Sequence, residues 1–170
     1  LYAGGGFSTA GGVAASRIAR WNGVTWTNYG SNINGAVNAL AVATNGVIYV
    51  GGAFTAVGGV TMRRIAQWTG TVWTNLGSGV DDAVNVEALA LATNGDLYAG
   101  GFFTSIGGVS AYRVAKWNGS AWTNLGAGMS STVYDLAFGR NGDLYAGGAF
   151  VSIAGGGLTV NRIAKWNGTY

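Results

Sequence analysis

The chain has 170 residues, a formal net charge of +3, and no cysteine, histidine or proline. Disulfides and thiolate chemistry are therefore excluded, the commonest general base and metal ligand is missing, and catalysis would have only six carboxylates, nine Lys or Arg, and hydroxyls to draw on. No apolar run approaches the roughly 18 residues of a membrane-spanning helix. The mild positive charge comes mainly from one repeated basic position, so neither nucleic acid nor membrane insertion is expected of it.

Taken in chain order, one phrase returns with its surroundings attached. It stands at Leu1 to Gly5, as Ile48-Tyr49-Val50-Gly51-Gly52, at Leu97 to Gly101 and at Leu144 to Gly148, spaced 47, 49 and 47 residues apart. A period in this range built from short strand-like phrases is that of a propeller blade, in which neighbouring units bury each other's faces. Seven Trp, eight Tyr and six Phe at repeating positions exclude a disordered glycine-rich chain.

The second repeat predicts four strands. Ala36 to Thr44 alternates bulky and small apolar residues, and Asn45-Gly46 signals a type I′ hairpin turn that pairs Ile48 to Phe54 back against it. A glycine-containing connection, Thr55 to Met62, leads to the third strand at Arg64-Ile65-Ala66-Gln67-Trp68, matched in the other copies from Arg17, Arg113 and Arg162. A short turn then leads to a fourth strand opened by Trp73, as by Trp26 and Trp122. Four antiparallel strands joined by short turns make a propeller blade, and no segment shows the 3.6-residue period of a helical solenoid. The expected fold is an all-β propeller of four-stranded antiparallel blades of about 47 residues, with a parallel β-helix as the alternative.

Lettered a to d from the inside, the chain reads as a unit lacking its inner strand (1–30), two full units (31–77 and 78–126) and a unit lacking its outer strand (127–170). It opens inside one repeat and stops inside another. Self-association or membership of a longer array is therefore expected, since open faces would be large apolar patches.

The pairs Gly51-Gly52, Gly100-Gly101 and Gly147-Gly148, followed by Trp26, Trp73 and Trp122 in their places, resemble the kelch-type propeller repeat. The run GGxFTxxGGVxxxRIAxWNGxxWTNLGxG is more closely similar to repeats of bacterial secreted or surface proteins and of fungal cortical-marker proteins. The resemblance covers the whole chain and implies a propeller of an extracellular or surface protein. It carries no catalytic residue set and implies no cofactor or metal.

Candidate sites follow the repeat. Trp26, Trp73 and Trp122 open outer strands, where rim aromatics would stack on sugars and make a multivalent lectin, a possible glycan partner; the competing role is packing between sheets. The four repeated arginines would lie on a ring face, bond carbonyls of a neighbouring unit, or form an anion-binding ring. Asn38, Glu87 and Tyr134 hold equivalent inner-strand places, with Ala39, Ala88 and Asp135 beside them, and would line a central channel. Asp96 and Asp143 read as turn residues. Asp81 and Asp82 lack the spaced ligands of a calcium loop. The expected function is a non-enzymatic binding or assembly scaffold, ahead of a lectin, with a propeller hydrolase or lyase further behind.

Overall fold

A computed structural model describes residues 1–29, 32–81 and 83–168. The first repeat folds as β1 (Tyr2–Gly4), β2 (Thr9–Ala10), β3 (Val13–Ala14), β4 (Ile18–Trp21) and β5 (Trp26–Asn28). The second supplies β6 (Val37–Val42), β7 (Ile48–Gly52), β8 (Ala56–Val57), β9 (Val60–Thr61), β10 (Ile65–Trp68) and β11 (Trp73–Asn75). In the third come β12 (Val86–Leu91), β13 (Leu97–Gly101), β14 (Ser105–Ile106), β15 (Val109–Ser110), β16 (Val114–Trp117) and β17 (Trp122–Asn124). The fourth contributes β18 (Val133–Phe138), β19 (Leu144–Gly148) and β20 (Ile163–Trp166). The chain is all-β, and no helix occurs among the described residues.

Each repeat makes one main sheet, in the orders β1-β4-β5, β6-β7-β10-β11, β12-β13-β16-β17 and β18-β19-β20, and the first three repeats each add a two-stranded one, β2-β3, β8-β9 and β14-β15. All strand pairings given for these sheets are antiparallel, which removes the parallel β-helix alternative. Three apolar cores lie between successive sheets. Ile18 of the first meets Ile48 and Val50 of the second; Ile65 and Leu76 of the second meet Leu97 and Ala99 of the third; Val114 and Leu125 of the third meet Leu144 and Ala146 of the fourth. Period-2 alternation thus serves two cores at once: on β7, Ile48 and Val50 face the preceding sheet while Tyr49 faces the following one.

The turns depart from expectation. At Asn45-Gly46 the Gly46 amide donates to the Ala43 carbonyl, 2.9 Å, and of the two residues only Gly46 has positive φ, 86°. This is a type I turn over Thr44-Asn45 closed by a left-handed glycine, the common three-residue hairpin, rather than type I′. The Asn45 side chain favours it by accepting the Val47 amide, 3.1 Å. Type I′ geometry occurs instead in what the sequence suggests is a plain connection. Gly58 and Gly59, at φ 59° and 82°, close the hairpin of β8 and β9; Gly11-Gly12 and Gly107-Gly108 do the same for β2–β3 and β14–β15.

Candidate functional site

The inner strands β6, β12 and β18 run beside one another, and each carries a bulge at the same place. Val37 pairs with Gly52 and Ala39 with Gly51, so Asn38 is the extra residue; Glu87 and Tyr134 are its counterparts on β12 and β18. A bulge forms here because the second glycine of each pair lies hard against the incoming chain: a Cβ on Gly52, Gly101 or Gly148 would meet the Ala36, Asn85 or Thr132 carbonyl oxygen. Bulged residues are released from the ladder and re-aimed. The structure thereby places the three expected inner-row residues at the same bulge on neighbouring strands and joins two of them. Asn38 Nδ2 donates to Glu87 Oε2 across two sheets, 2.8 Å. Glu87 is half-buried, and Tyr134 is 60% exposed. Asp135 accepts the Leu136 amide, 2.9 Å, and orders its own strand.

The tryptophans form pairs within the first three sheets. Trp21 stands opposite Trp26, Trp68 opposite Trp73 and Trp117 opposite Trp122, with ring centroids 5.5, 5.5 and 5.4 Å apart. Trp26 and Trp73 are half-buried. Trp122 is 4% exposed, and its indole N–H donates to the Leu76 carbonyl of the preceding sheet, 2.9 Å. An indole so placed fills the gap between sheets with its one polar atom satisfied.

The repeated arginines do not sit on the third strand but just ahead of it. Arg17, Arg64, Arg113 and Arg162 have φ between 65° and 70°, a left-handed backbone rare for a residue with a Cβ. Their side chains therefore escape the alternation of the strand. Arg64 Nη1 donates to the Ala53 and Phe54 carbonyls, each 3.2 Å, and its Nε to the Val84 carbonyl of the next repeat, also 3.2 Å. Arg113 Nη1 donates to the Phe103 carbonyl, 3.3 Å, and its guanidinium lies 4.6 Å from the Phe102 ring centroid, not over a Trp. Arg64 and Arg113 thus tie each third strand to the loop after the diglycine. The sequence shows the arginine at the same place in all four copies but gives no sign of its left-handed backbone, since the residue ahead of it varies as Ser16, Arg63, Tyr112 and Asn161.

Asp81, Asp96 and Asp143 are engaged in turns and loops. Asp96 and Asp143 accept from Lys116 at 3.5 Å and Lys165 at 3.4 Å, and their amides donate to Asn94 and Asn141. Asp81 accepts the Gly108 amide, 3.0 Å, holding the third small hairpin to the loop before β12; Asp82 lies outside the described residues.

No family model and no curated protein matches the chain. Among solved structures it is similar to the extracellular domain of a B. thetaiotaomicron protein described as the one-component system BT4673, with a TM-score of 0.50 and 13% identity. That likeness covers 87% of this chain and 18% of the other. At such identity it speaks for the fold alone, and this fold is one that an extracellular domain uses.

Proposed function

We propose that the chain is a kelch-like β-propeller array, its sheets the blades, that serves as a non-enzymatic binding or assembly scaffold outside the cell or on its surface. The observation that carries this reading is a contrast within each inner strand. Val37, Val86 and Val133 before the bulge are identical, as are Leu40, Leu89 and Leu136 after it, whereas the bulge itself holds Asn38, Glu87 and Tyr134. A constant frame that displays a varied, polar, solvent-facing row is the arrangement of a recognition surface built on rigid elements. The extracellular setting of the similar domain supports the location.

A glycan array combined with a thermal-shift screen of small molecules tests this. Binding should disappear in Glu87→Ala/Tyr134→Ala, with the melting temperature lowered by no more than a few degrees, because Tyr134 is exposed and Glu87, half-buried, gives up one hydrogen bond to the exposed Asn38. Binding that survives there but is lost in Trp26→Ala or Trp73→Ala would move recognition to the outer strands. Chemical conversion of a bound ligand would reject the non-enzymatic reading.

A further inference from the structure

Through residue 142 the chain contains six Asn-Gly pairs, beginning at Asn22, Asn34, Asn45, Asn94, Asn118 and Asn141. Three of them make the same turn between an inner strand and the one after it: Asn45-Gly46 before β7, Asn94-Gly95 before β13 and Asn141-Gly142 before β19. The three backbones are alike. Gly46, Gly95 and Gly142 have φ of 86°, 91° and 84°, their amides donate to the Ala43, Ala92 and Gly139 carbonyls at 2.9, 3.0 and 3.0 Å, and a Cβ on any of them would meet nothing within 4 Å. The side chains are not alike. Asn94 and Asn141 are held through both atoms: Oδ1 accepts the Asp96 or Asp143 amide, 3.1 and 3.3 Å, and Nδ2 donates to the carboxylate of the same residue, 3.0 and 2.7 Å. Lys116 and Lys165 steady those two carboxylates in turn. The second repeat has Val47 in this place, so Asn45 accepts the Val47 amide, 3.1 Å, and its Nδ2 has no partner among the described residues. Of the other pairs, Asn22 and Asn34 are bonded through both side-chain atoms, and the Asn118 oxygen accepts from two amides and a hydroxyl. Asn45 is exposed and the most loosely held of the six.

We propose that Asn45-Gly46 is a site of spontaneous covalent modification, at which the asparagine converts to aspartate and isoaspartate. The Gly46 nitrogen attacks Asn45 Cγ. The new N–Cγ bond closes a five-membered imide as the Cγ–Nδ2 bond breaks, and Nδ2 leaves as ammonia with the proton that the Gly46 amide gives up. Solvent water then adds to one imide carbonyl or the other and opens the ring, leaving either an ordinary aspartate or a main chain rerouted through Cβ and Cγ. The attack requires the side chain to swing Cγ toward the glycine nitrogen, where no Cβ obstructs it. At Asn94 and Asn141 that swing breaks a charge-assisted hydrogen bond, and the carboxylate opposes the negative charge that builds on the attacking nitrogen. At Asn45 neither resists. The glycine amide bond to the carbonyl three residues back has to open in all three turns, so it does not separate them. The product carries one more negative charge, which lowers the formal net charge from +3 by one.

The test is incubation of the folded whole chain in mildly alkaline buffer, followed over time by peptide mapping with fragmentation that tells isoaspartate from aspartate. Conversion at Asn45 should run about tenfold or more ahead of Asn94 and Asn141, the effect of one charge-assisted hydrogen bond on a rate, and should lead Asn22, Asn34 and Asn118 as well. Val47→Asp should slow Asn45, and Asp96→Val should raise Asn94 toward the rate of Asn45. In urea concentrated enough to unfold the chain, the difference among the three turns should collapse. Equal rates at Asn45 and Asn94 in the folded chain would overturn the proposal. So would faster conversion at any other of the six pairs, a ranking that urea leaves unchanged, or a folded Val47→Asp chain that converts at the original rate.

Discussion

Gly4, Gly51 and Gly100 hold the first place of the diglycine on β1, β7 and β13, and each faces the valine that opens the next inner strand. A Cβ there would stand 2.6, 2.5 and 2.7 Å from Cγ1 of Val37, Val86 and Val133. Gly147 holds the same place on β19, and a Cβ on it would meet nothing within 4 Å. None of the four has a positive φ, so packing alone separates them. Gly100→Ala should cost about 1–3 kcal/mol through overpacking against Val133. Gly147→Ala should be neutral or stabilise by up to about 1 kcal/mol, since it only restricts a strand residue. Urea unfolding of both variants checks this, and equal losses would show that the glycines serve something other than sheet-to-sheet approach. The repeat made the diglycine visible in the sequence, but not its reason, because each first glycine answers to a side chain in the following repeat.

At the level of strands and turns, apolar alternation located the inner strand, and the Asn-Gly turn and the repeated phrases located the other long strands, four in each of the two complete repeats and three in each of the others. Three features escaped it. The small Gly-Gly hairpins are only two residues per strand, too short for alternation to register. The left-handed arginines depart from local preference, and the bonds that Arg64 makes to the loop after the diglycine and to Val84 of the next repeat have no mark in its own segment. The inner-row residues were legible as equivalents, but their common bulge depends on a carbonyl packed against the second glycine. The strand face that does follow the pattern has a consequence for pH. Tyr49 and Tyr98 project from β7 and β13 toward the following sheet, Tyr98 edge-on to Phe138 at 5.2 Å. Burial raises both phenols above their ordinary value; for Tyr98 a nearby Lys116 opposes this and Asp96 adds to it. A raised phenol pKa means folding favours the neutral form. That stability is complete below the unfolded value of about 10 and is lost as pH climbs toward the folded one, because the unfolded chain then releases protons first. Urea midpoints from pH 8 to 11 should therefore fall above about pH 10, and Tyr49→Phe/Tyr98→Phe should flatten that fall. An unchanged slope in the double variant would assign alkaline loss to other groups.

Across the whole molecule, stability is distributed by neighbours. Among the described residues, the second and third sheets have an apolar core on each face, while the first and fourth share one core each. Ile18, Ile65 and Val114 open the third strands of the first three sheets and are at most 2% exposed, whereas Ile163 in the same place is 65% exposed. In a stack where each unit touches only its neighbours, opening is expected to proceed inward from the faces with fewer contacts. Native-state hydrogen exchange should then rank the amides: β7, β10, β13 and β16 slowest, with β1, β4, β19 and β20 faster by about tenfold or more, the ratio for each 1.4 kcal/mol of interface withheld. The longer contacts argue for the same order, because the outer strand of the third sheet is pinned through Trp122 to the second, and β20 has no such tie among the described residues. Uniform protection across all four sheets would mean that the chain opens only as one cooperative body, and the stacking account of its stability would fail.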